Sequence, residues 1–251
     1  MDIQLLKRFS AGSANDDTHK HLWIQGASQF IPQVNQLLTH TGYIPTILPI
    51  THFLSAAHTE ADAWVLGNIL KCHSSDKSTT HTYHILYSYI FHQLGKDAPL
   101  KLLEIGLGTN NPALISSMGA TGRPGASLYA FREYLPNASL YGGDIDQNIL
   151  FEYDRITTRY VDQMKQSTFT IFDGLYDVII DDGLHSIAAN FNTLLFALEH
   201  LKVGGWFVVE DIQLIDNFNA IDFVLLSTGK YETYMIDAKG CYMFSIKKLR
   251  D

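Results

Sequence analysis

Carboxylates and a histidine follow two of the short apolar runs in the second half of the chain. They form the segments Asp181-Asp182-Gly183-Leu184-His185 and Glu210-Asp211. If the two runs are adjacent parallel strands, their carboxyl ends meet at one edge of a sheet, where sheets of this kind bind ligands. Carboxylates so close together repel, and a bound cation relieves that repulsion; oxygen ligands favour a hard ion such as Mg²⁺ or Ca²⁺ over Zn²⁺. The alternative is a set of helix caps and salt bridges.

His185 differs from the other ten histidines of the chain because of these neighbours. It follows Gly183 at the predicted turn into a helix, where its imidazole can take up a proton near neutral pH. The alternative is a structural histidine. The pattern therefore predicts a proton acceptor next to a cation site.

A glycine turn follows an earlier apolar run, in the segment Glu104-Ile105-Gly106-Leu107-Gly108. Its glycines allow the backbone to approach a ligand closely at the carboxyl edge of the sheet. A dinucleotide-binding fingerprint would have a third glycine where Asn111 stands, and an acidic residue nearer than Asp144. Glu104 lies on the strand itself, where a charge is costly unless it meets a ligand or a buried partner.

Two further strands end in side chains that can bind a nucleoside. Asp144 ends the second predicted strand, where a carboxylate can accept hydrogen bonds from both ribose hydroxyls. Asp162 and Gln163 end the third, where they could contact an adenine edge. The alternatives are a strand-end aspartate or helix cap for Asp144 and a solvated loop for the other two residues.

Apolar runs alternate with helical patterns after Pro99, which predicts a parallel sheet covered on both faces. The predicted strands are Leu100–Ile105, Leu140–Ile145, Thr158–Val161, Tyr176–Ile180 and Trp206–Val209, with helices at Ala126–Leu135 and Ile187–Leu201. Tyr231–Ile236 and Cys241–Ile246 flank a turn containing Gly240, which predicts an antiparallel hairpin. The fold class is therefore α/β: a doubly wound, Rossmann-like sheet of seven strands with an antiparallel last strand.

Helical spacing dominates before residue 97. Ile85 and Tyr89 recur at the interval of a buried helix face, and Gly95 is placed to end that helix. Phe30–Leu38 and Ala61–Leu70 are predicted as shorter helices, and Ile44–Pro49 as an extended connection. We therefore expect an N-terminal helical addition at residues 1–97 and a cofactor-binding domain at residues 98–251.

The composition excludes several classes of function. With 46% hydrophobic and 18% charged residues, the chain resembles an ordinary globular protein. Eighteen Lys and Arg against 26 Asp and Glu give a formal net charge of −8, which disfavours nucleic acid and anionic membranes as partners. Two cysteines suggest a reducing compartment, and no signal peptide is visible, so we expect a cytoplasmic protein.

These motifs resemble those of the class I methyltransferases that use S-adenosylmethionine, over roughly residues 98–248. Glu104–Gly108 is similar to the first motif of that family, Asp144 to its ribose-binding acidic residue, and Asp162-Gln163 to its adenine contact. The segments 181–185 and 210–211 are similar to one branch, the metal-dependent O-methyltransferases of sugar hydroxyls in macrolide antibiotics and related glycosides. Residues 75–83 and 125–128 also resemble that branch. Leu184 departs from it, and residues 111–124 form an insertion with no assigned role.

The resemblance implies transfer of a methyl group from S-adenosylmethionine to a hydroxyl of a sugar or glycosylated natural product. It implies that Asp182, Glu210 and Asp211 hold Mg²⁺ or another hard divalent cation, and that His185 is the catalytic base. The residues that it assigns to the cofactor are Glu104, Gly106, Gly108, Ser127, Asp144, Asp162, Gln163 and Asp181. A small hydroxyl-bearing substrate and a homo-oligomer are the expected partners, with residues 1–97 providing substrate and oligomer contacts.

Three rival functions remain compatible with the pattern. A nucleotide-dependent oxidoreductase would use the same layered sheet, although the missing third glycine and the late Asp144 count against it. A non-catalytic Rossmann-like binding protein would keep the fold without the chemistry. An iron-dependent hydroxylase would use the same carboxylates and histidine for a different ion.

Overall fold

The strands of the chain form one mixed sheet. A computed structural model describes residues 29–54 and 59–251. Its strands are β1 (Ile47–Pro49), β2 (Lys101–Ile105), β3 (Ser139–Asp144), β4 (Glu152–Tyr153), β5 (Ile156–Tyr160), β6 (Tyr176–Asp181), β7 (Leu201–Ile212), β8 (Tyr231–Asp237) and β9 (Tyr242–Lys248). The strand order across the sheet is β1-β8-β9-β7-β6-β2-β3-β5-β4.

Six α-helices occur in the described part of the chain. They are α1 (residues 29–40), α2 (Thr59–Cys72), α3 (His84–Leu94), α4 (Ala126–Tyr134), α5 (Ile187–His200) and α6 (Asn219–Ser227). Gly95 ends α3 in a positive-φ conformation, as the sequence predicted. The Ser186 hydroxyl caps α5 by accepting a hydrogen bond from the Ala189 amide.

The central strands are apolar on both sides because helices cover both faces of the sheet. One face carries Leu102, Val178 and Trp206, which pack in a core with residues of α2, α3 and α4. The other face carries Leu103, Ile179 and Phe207, which pack with residues of α5 and α6. Consecutive strand residues point to opposite faces, so runs such as Leu102-Leu103 contribute to both cores.

The predicted α/β class is confirmed, and the strand count is corrected from seven to nine. The seven predicted strands form the continuous part of the sheet, and β9 lies between β7 and β8, antiparallel to both. The added strands are its two edges: β1 pairs in parallel with β8, and β4 pairs antiparallel with β5. Strand β1 has three residues and β4 has two. Both are too short to show the alternation of apolar and polar residues from which a strand is predicted.

Residues before 97 contribute to the same core as the sheet. Leu66 of α2 and Leu86 of α3 are fully buried in the cluster that also contains Leu102 and Trp206. The segment predicted as an extended connection ends in the edge strand β1. The predicted N-terminal helical addition begins at residue 1, but its residues 1–28 lie outside the part of the chain that the structure describes. Within the described ranges, no helix has the length and hydropathy needed to cross a bilayer.

Candidate active site

The register of the central strands aligns the predicted site residues at one edge of the sheet. Ile105 of β2 pairs with Gly143 of β3 and with Asp181 of β6, and Asp181 pairs with Val209 of β7. Gly106, Asp144, Asp182 and Glu210 each come one residue after these positions. The carboxyl ends of four parallel strands therefore meet where the sequence placed the ligand site.

The glycines at this edge are required by close approach of the backbone. Gly106 has a φ of +98°, and a Cβ atom there would lie 1.9 Å from the Asp182 carbonyl oxygen. A Cβ atom at Gly183 would lie 2.1 Å from the Gln163 Oε1 atom. Larger residues at either position would displace the loops that surround the site.

A cavity of about 300 Å³ opens over the ends of β2, β3 and β5. The predicted cofactor residues that line it are Gly106, Gly108, Asp144, Asp162 and Gln163. Residues 113–116 and 182–184 complete its wall. Its volume suits a ligand of small-molecule size.

A second cavity, of about 310 Å³, shares Gly106, Gly108 and Asp182 with the first. Its lining includes Ser127, predicted for the cofactor, and Lys77 and Arg123, which were not predicted as site residues. Residues 111–124, which had no assigned role, provide walls of both cavities. The insertion is therefore part of the site.

Asp144 joins the glycine turn to β3. Its two carboxylate oxygens accept hydrogen bonds at 2.8 Å from the amides of Leu107 and Asp146. Burial raises the pKa of Asp144, and these backbone hydrogen bonds oppose the shift. Each oxygen retains a lone pair, so Asp144 can still accept a hydrogen bond from a ligand in the first cavity.

Gln163 supports the loop that carries His185. Its amide nitrogen donates to Asp181 Oδ1 at 2.7 Å and to Thr193 Oγ1 at 2.9 Å, and its oxygen accepts from the Leu184 amide at 2.7 Å. The side-chain amide is thus occupied by protein partners. Asp162 lines the cavity with Gln163, and its carboxylate is held by Lys165 at 2.8 Å.

Asp181 lies away from both cavities. It is fully buried, and it accepts hydrogen bonds from Gln163 and from Asn190 of α5. Burial raises its pKa, which these hydrogen bonds oppose. The side chain of Asp181 lies under α5 and is bound by protein groups, so its predicted cofactor contact stays a prediction.

Lys77 is a residue of this site that sequence reasoning did not identify as functional. Its ammonium nitrogen lies 2.5 Å from Asp182 Oδ2, 2.5 Å from Glu210 Oε2 and 3.3 Å from Glu104 Oε1, with the side chain 2% exposed. Tyr87 donates a hydrogen bond to the other Glu210 oxygen, and Ser127 donates to Glu104. One lysine therefore holds three carboxylates, from β2, β7 and the residue after β6.

The charges of this cluster do not balance. Burial favours loss of the proton from Lys77, but the attraction of Asp182, Glu210 and Glu104 outweighs it and raises the lysine pKa well above its usual value. Burial, with mutual repulsion, also raises the pKa values of Glu104, Asp182 and Glu210 despite Lys77. One ammonium group cannot neutralise three carboxylates, and the cluster retains affinity for further positive charge.

Asp182, His185 and Asp211 form the solvent-accessible part of the site. His185 Nε2 lies 4.0 Å from Asp182 Oδ1 and 3.8 Å from Asp211 Oδ2. Ligand atoms of these three residues lie within 4.8 Å of one another, which permits a shared metal ion. Glu210 stands apart from the group, because its carboxylate is 1% exposed and bound to Lys77 and Tyr87.

Two of these three residues have unusual backbone conformations. His185 has a φ of +53° and Asp211 a φ of +55°, the left-handed region that non-glycine residues seldom adopt. Such conformations cost free energy and persist where the surrounding structure imposes them. Two such conformations in one cluster are typical of functional sites.

Comparison with known proteins finds O-methyltransferases that are similar to this chain. No family model matches the chain. The 8-demethyl-8-alpha-L-rhamnosyl tetracenomycin-C 2'-O-methyltransferase of Streptomyces olivaceus is 30% identical over 173 residues, which cover 67% of this chain and 43% of that protein. The 8-demethyl-8-(2-methoxy-alpha-L-rhamnosyl)-tetracenomycin-C 3'-O-methyltransferase of the same organism is 30% identical over 152 residues. These residues cover 59% of this chain and 36% of that protein. The chain therefore spans less than half the length of these relatives.

A solved structure shows the same fold. The MycE methyltransferase of the mycinamycin biosynthetic pathway, in complex with Mg and SAH, matches with a TM-score of 0.58 at 21% identity, covering 74% of this chain and 55% of that one. The chain has the class I methyltransferase fold. Its sequence relatives are O-methyltransferases of natural-product glycosides, which confirms the resemblance predicted from the motifs.

Proposed function

We propose that this chain transfers a methyl group from S-adenosylmethionine to a sugar hydroxyl of a glycosylated natural product, with a divalent cation at the site. The observation that carries the proposal is the convergence of two joined cavities with the Asp182–His185–Asp211 cluster at the strand ends. The relatives named for methylation of rhamnosyl groups support the acceptor class.

The two cavities fit the two parts of S-adenosylmethionine, which supplies an electrophilic methyl group when bound. Asp144 and Asp162 in the first cavity offer acceptors for ribose hydroxyls and for the base. Ser127 and Arg123 in the second cavity offer polar partners for the amino-acid part. Glu104 is fully buried behind Ser127 and acts by positioning that hydroxyl. A continuous ligand would pass Gly106 and Gly108, which line both cavities.

The exposed cluster fits a hard divalent cation. Asp182 and Asp211 would hold it, because their carboxylates are one-quarter exposed and the cluster has excess negative charge. When bound, such an ion would orient acceptor oxygens and lower the pKa of a hydroxyl. Glu210, predicted as a third ligand, is instead assigned to positioning, since Lys77 and Tyr87 bind both of its oxygens.

His185 would accept the proton of the acceptor hydroxyl at its Nε2 atom. An alcohol is hardly ionised at neutral pH, and an imidazole is the side chain best suited to take its proton there. The positive φ of His185 and the bond from Leu184 to Gln163 fix the loop that presents the ring. The protein also lowers the activation barrier by orienting the reactants, which contributes up to roughly 7–11 kcal/mol in good cases.

The location and partners of the chain are further parts of this proposal. We assign residues 1–97 to substrate and oligomer contacts, residues 98–251 to cofactor binding, and the chain to a cytoplasmic homo-oligomer. The acidic net charge supports a small-molecule acceptor over a nucleic acid or a membrane surface.

Replacement of His185 by alanine tests the assignment of the base. We expect turnover to fall by about 10²–10⁴-fold, since positioned proton transfer contributes that much. The calorimetric affinity for S-adenosylmethionine should stay within about twofold of the parent value, while NADH should bind neither protein. His52→Ala, at an exposed histidine, is the matched control. Equal turnover in His185→Ala and the parent would refute the base assignment, and tight NADH binding would favour an oxidoreductase.

A further inference from the structure

A second set of metal-ligating side chains lies next to the proposed active site. Within the described part of the chain, a ring nitrogen of His81, the Cys241 thiol and an Asp211 carboxylate oxygen lie within 4.8 Å of one another. Cys241 Sγ is 3.6 Å from His81 Nδ1, and His81 Nε2 is 3.6 Å from Asp211 Oδ1. Asp211 thus presents Oδ1 to His81 and Oδ2 to His185.

The surrounding structure holds these three side chains in place. Tyr83 bonds to Asp211 Oδ1 at 2.5 Å and to Cys241 Sγ at 2.8 Å. The His81 ring stacks on the Tyr83 ring with centroids 4.6 Å apart. Cys241 is 6% exposed, whereas the side chains of His81 and Asp211 are 22% and 24% exposed. The group is therefore ordered and shielded, yet open to an ion from the solvent side.

We propose that His81, Asp211 and Cys241 form a binding site for Zn²⁺ or a similar thiophilic ion. Zinc bonds of about 2.0–2.3 Å to nitrogen, oxygen and sulfur in a tetrahedron imply ligand separations of about 3.3–3.8 Å. An ion binds one nitrogen of His81, and with that nitrogen the three ligand atoms lie within 4.8 Å of one another, which small side-chain rotations bring into that range. A thiolate selects against Mg²⁺, which prefers oxygen ligands, so this site and the Asp182–Asp211 position differ in the ion that they take.

Binding at this site releases the thiol proton of Cys241 to solvent as the sulfur–metal bond forms. The hydroxyl of Tyr83 loses its partners Asp211 and Cys241 to the ion and is free to turn. Because Asp211 belongs to both groups, occupancy by Zn²⁺ would weaken binding of the hard ion beside His185. That last consequence rests on the proposed function; the Zn²⁺ site itself does not.

Cobalt titration of the full chain tests the proposal, since Co²⁺ replaces Zn²⁺ and a cobalt–thiolate bond gives a near-ultraviolet charge-transfer band. The metal-free, reduced protein is titrated with Co²⁺ in a buffer without Mg²⁺, because Mg²⁺ beside His185 would compete for Asp211. We expect the band to saturate at one equivalent and to disappear on addition of Zn²⁺. Cys241→Ser should abolish it, and His81→Gln should weaken Co²⁺ binding at least about tenfold.

Two matched variants separate this site from other sources of the signal. Cys72→Ser removes the other, exposed cysteine and should leave the band unchanged. Asp182→Asn changes a carboxylate shared by Lys77 and His185 but no ligand of this site, and should also keep the band. Absence of the band in the parent protein, its survival in Cys241→Ser or its loss in Cys72→Ser would each overturn the proposal. His81→Gln changes a partly exposed residue, so the test does not depend on folding of the Cys241 variant. Neither S-adenosylmethionine nor an acceptor is present, so the outcome is independent of methyl transfer.

Discussion

Lys77 brings together three carboxylates that are distant in the chain. Asp182 lies 105 positions and Glu210 133 positions from it. The sequence predicted correctly that Asp182 and Asp211 meet near His185, because all three follow adjacent strands. It did not predict the partner of Glu210, since no local pattern indicates which of 18 basic residues enters a buried cluster. The predicted cation was a metal ion, which stays a prediction, and Lys77 is a further cation at these carboxylates.

Removal of the Lys77 charge should destabilise the fold. In Lys77→Met, Glu104, Asp182 and Glu210 lose their shared cation while still buried, so we expect unfolding to become easier by about 3–5 kcal/mol. Urea denaturation followed by circular dichroism measures this. Lys71→Met, at an exposed lysine of α2, should change stability by less than about 0.5 kcal/mol.

A second substitution distinguishes charge from packing in this cluster. Adding Glu210→Gln to Lys77→Met removes one of the unpaired carboxylates and should recover part of the lost stability. If the double variant is no more stable than Lys77→Met, the loss comes from packing of the lysine stem and the electrostatic account is wrong.

At the scale of elements, the turn after β2 places the cavities. Gly106 and Gly108 were predicted to allow close approach of a ligand, and the structure shows that Gly106 also approaches the backbone of Asp182. The central strands were predictable from their apolar runs. Helix α6 was not, because the continuous apolar run Phe223–Leu226 has no polar alternation to set its period. The edge strands β1 and β4 were not predicted because they are too short to show a pattern.

Gly106→Ala should strongly weaken ligand binding in both cavities. The new Cβ would lie 1.9 Å from the Asp182 carbonyl oxygen, so the loop after β6 must move away from the glycine turn. Calorimetry with S-adenosylhomocysteine should show at least about a hundredfold weaker binding, corresponding to the roughly 3 kcal/mol that such strain costs.

Gly204→Ala provides the matched control for this substitution. Gly204 also has a positive φ, +84°, but no atom lies within 4 Å of the added Cβ. It therefore carries the backbone strain without the clash and should keep the parent affinity. Similar losses in the two variants would show that general destabilisation, and not the geometry of the Gly106 turn, controls binding.

At the scale of the whole molecule, the helices before residue 97 are part of the main core. Tyr87 and Phe91 of α3 are fully buried against Phe131 of α4, and Tyr87 also reaches Glu210. The sequence indicated a helical addition there but not its depth of packing, because burial is set by contacts between distant segments. The division at residue 97, predicted from the helical spacing before it, stays a prediction, although α2 and α3 share a core with the sheet.

Deletion of residues 1–97 should prevent cooperative folding of the remainder. The deletion would expose the face of the sheet that carries Leu102, Val178 and Trp206, and it would remove Lys77 from its carboxylates. We expect the fragment 98–251 to bind a hydrophobic dye and to unfold without a sharp transition. A cooperative thermal transition in that fragment would show that the cofactor-binding region is an independent domain.

The central claim is metal-assisted methyl transfer to a sugar hydroxyl, and its most direct test is transfer of a labelled methyl group. The protein is incubated with methyl-labelled S-adenosylmethionine and a rhamnosylated polyketide, first with EDTA and then with Mg²⁺ restored. We predict that label enters a sugar hydroxyl, that EDTA stops the transfer, and that Mg²⁺ restores it while Fe²⁺ with 2-oxoglutarate does not. Hydroxylation of the acceptor with Fe²⁺ and 2-oxoglutarate, or methyl transfer that proceeds undiminished in EDTA, would contradict the account.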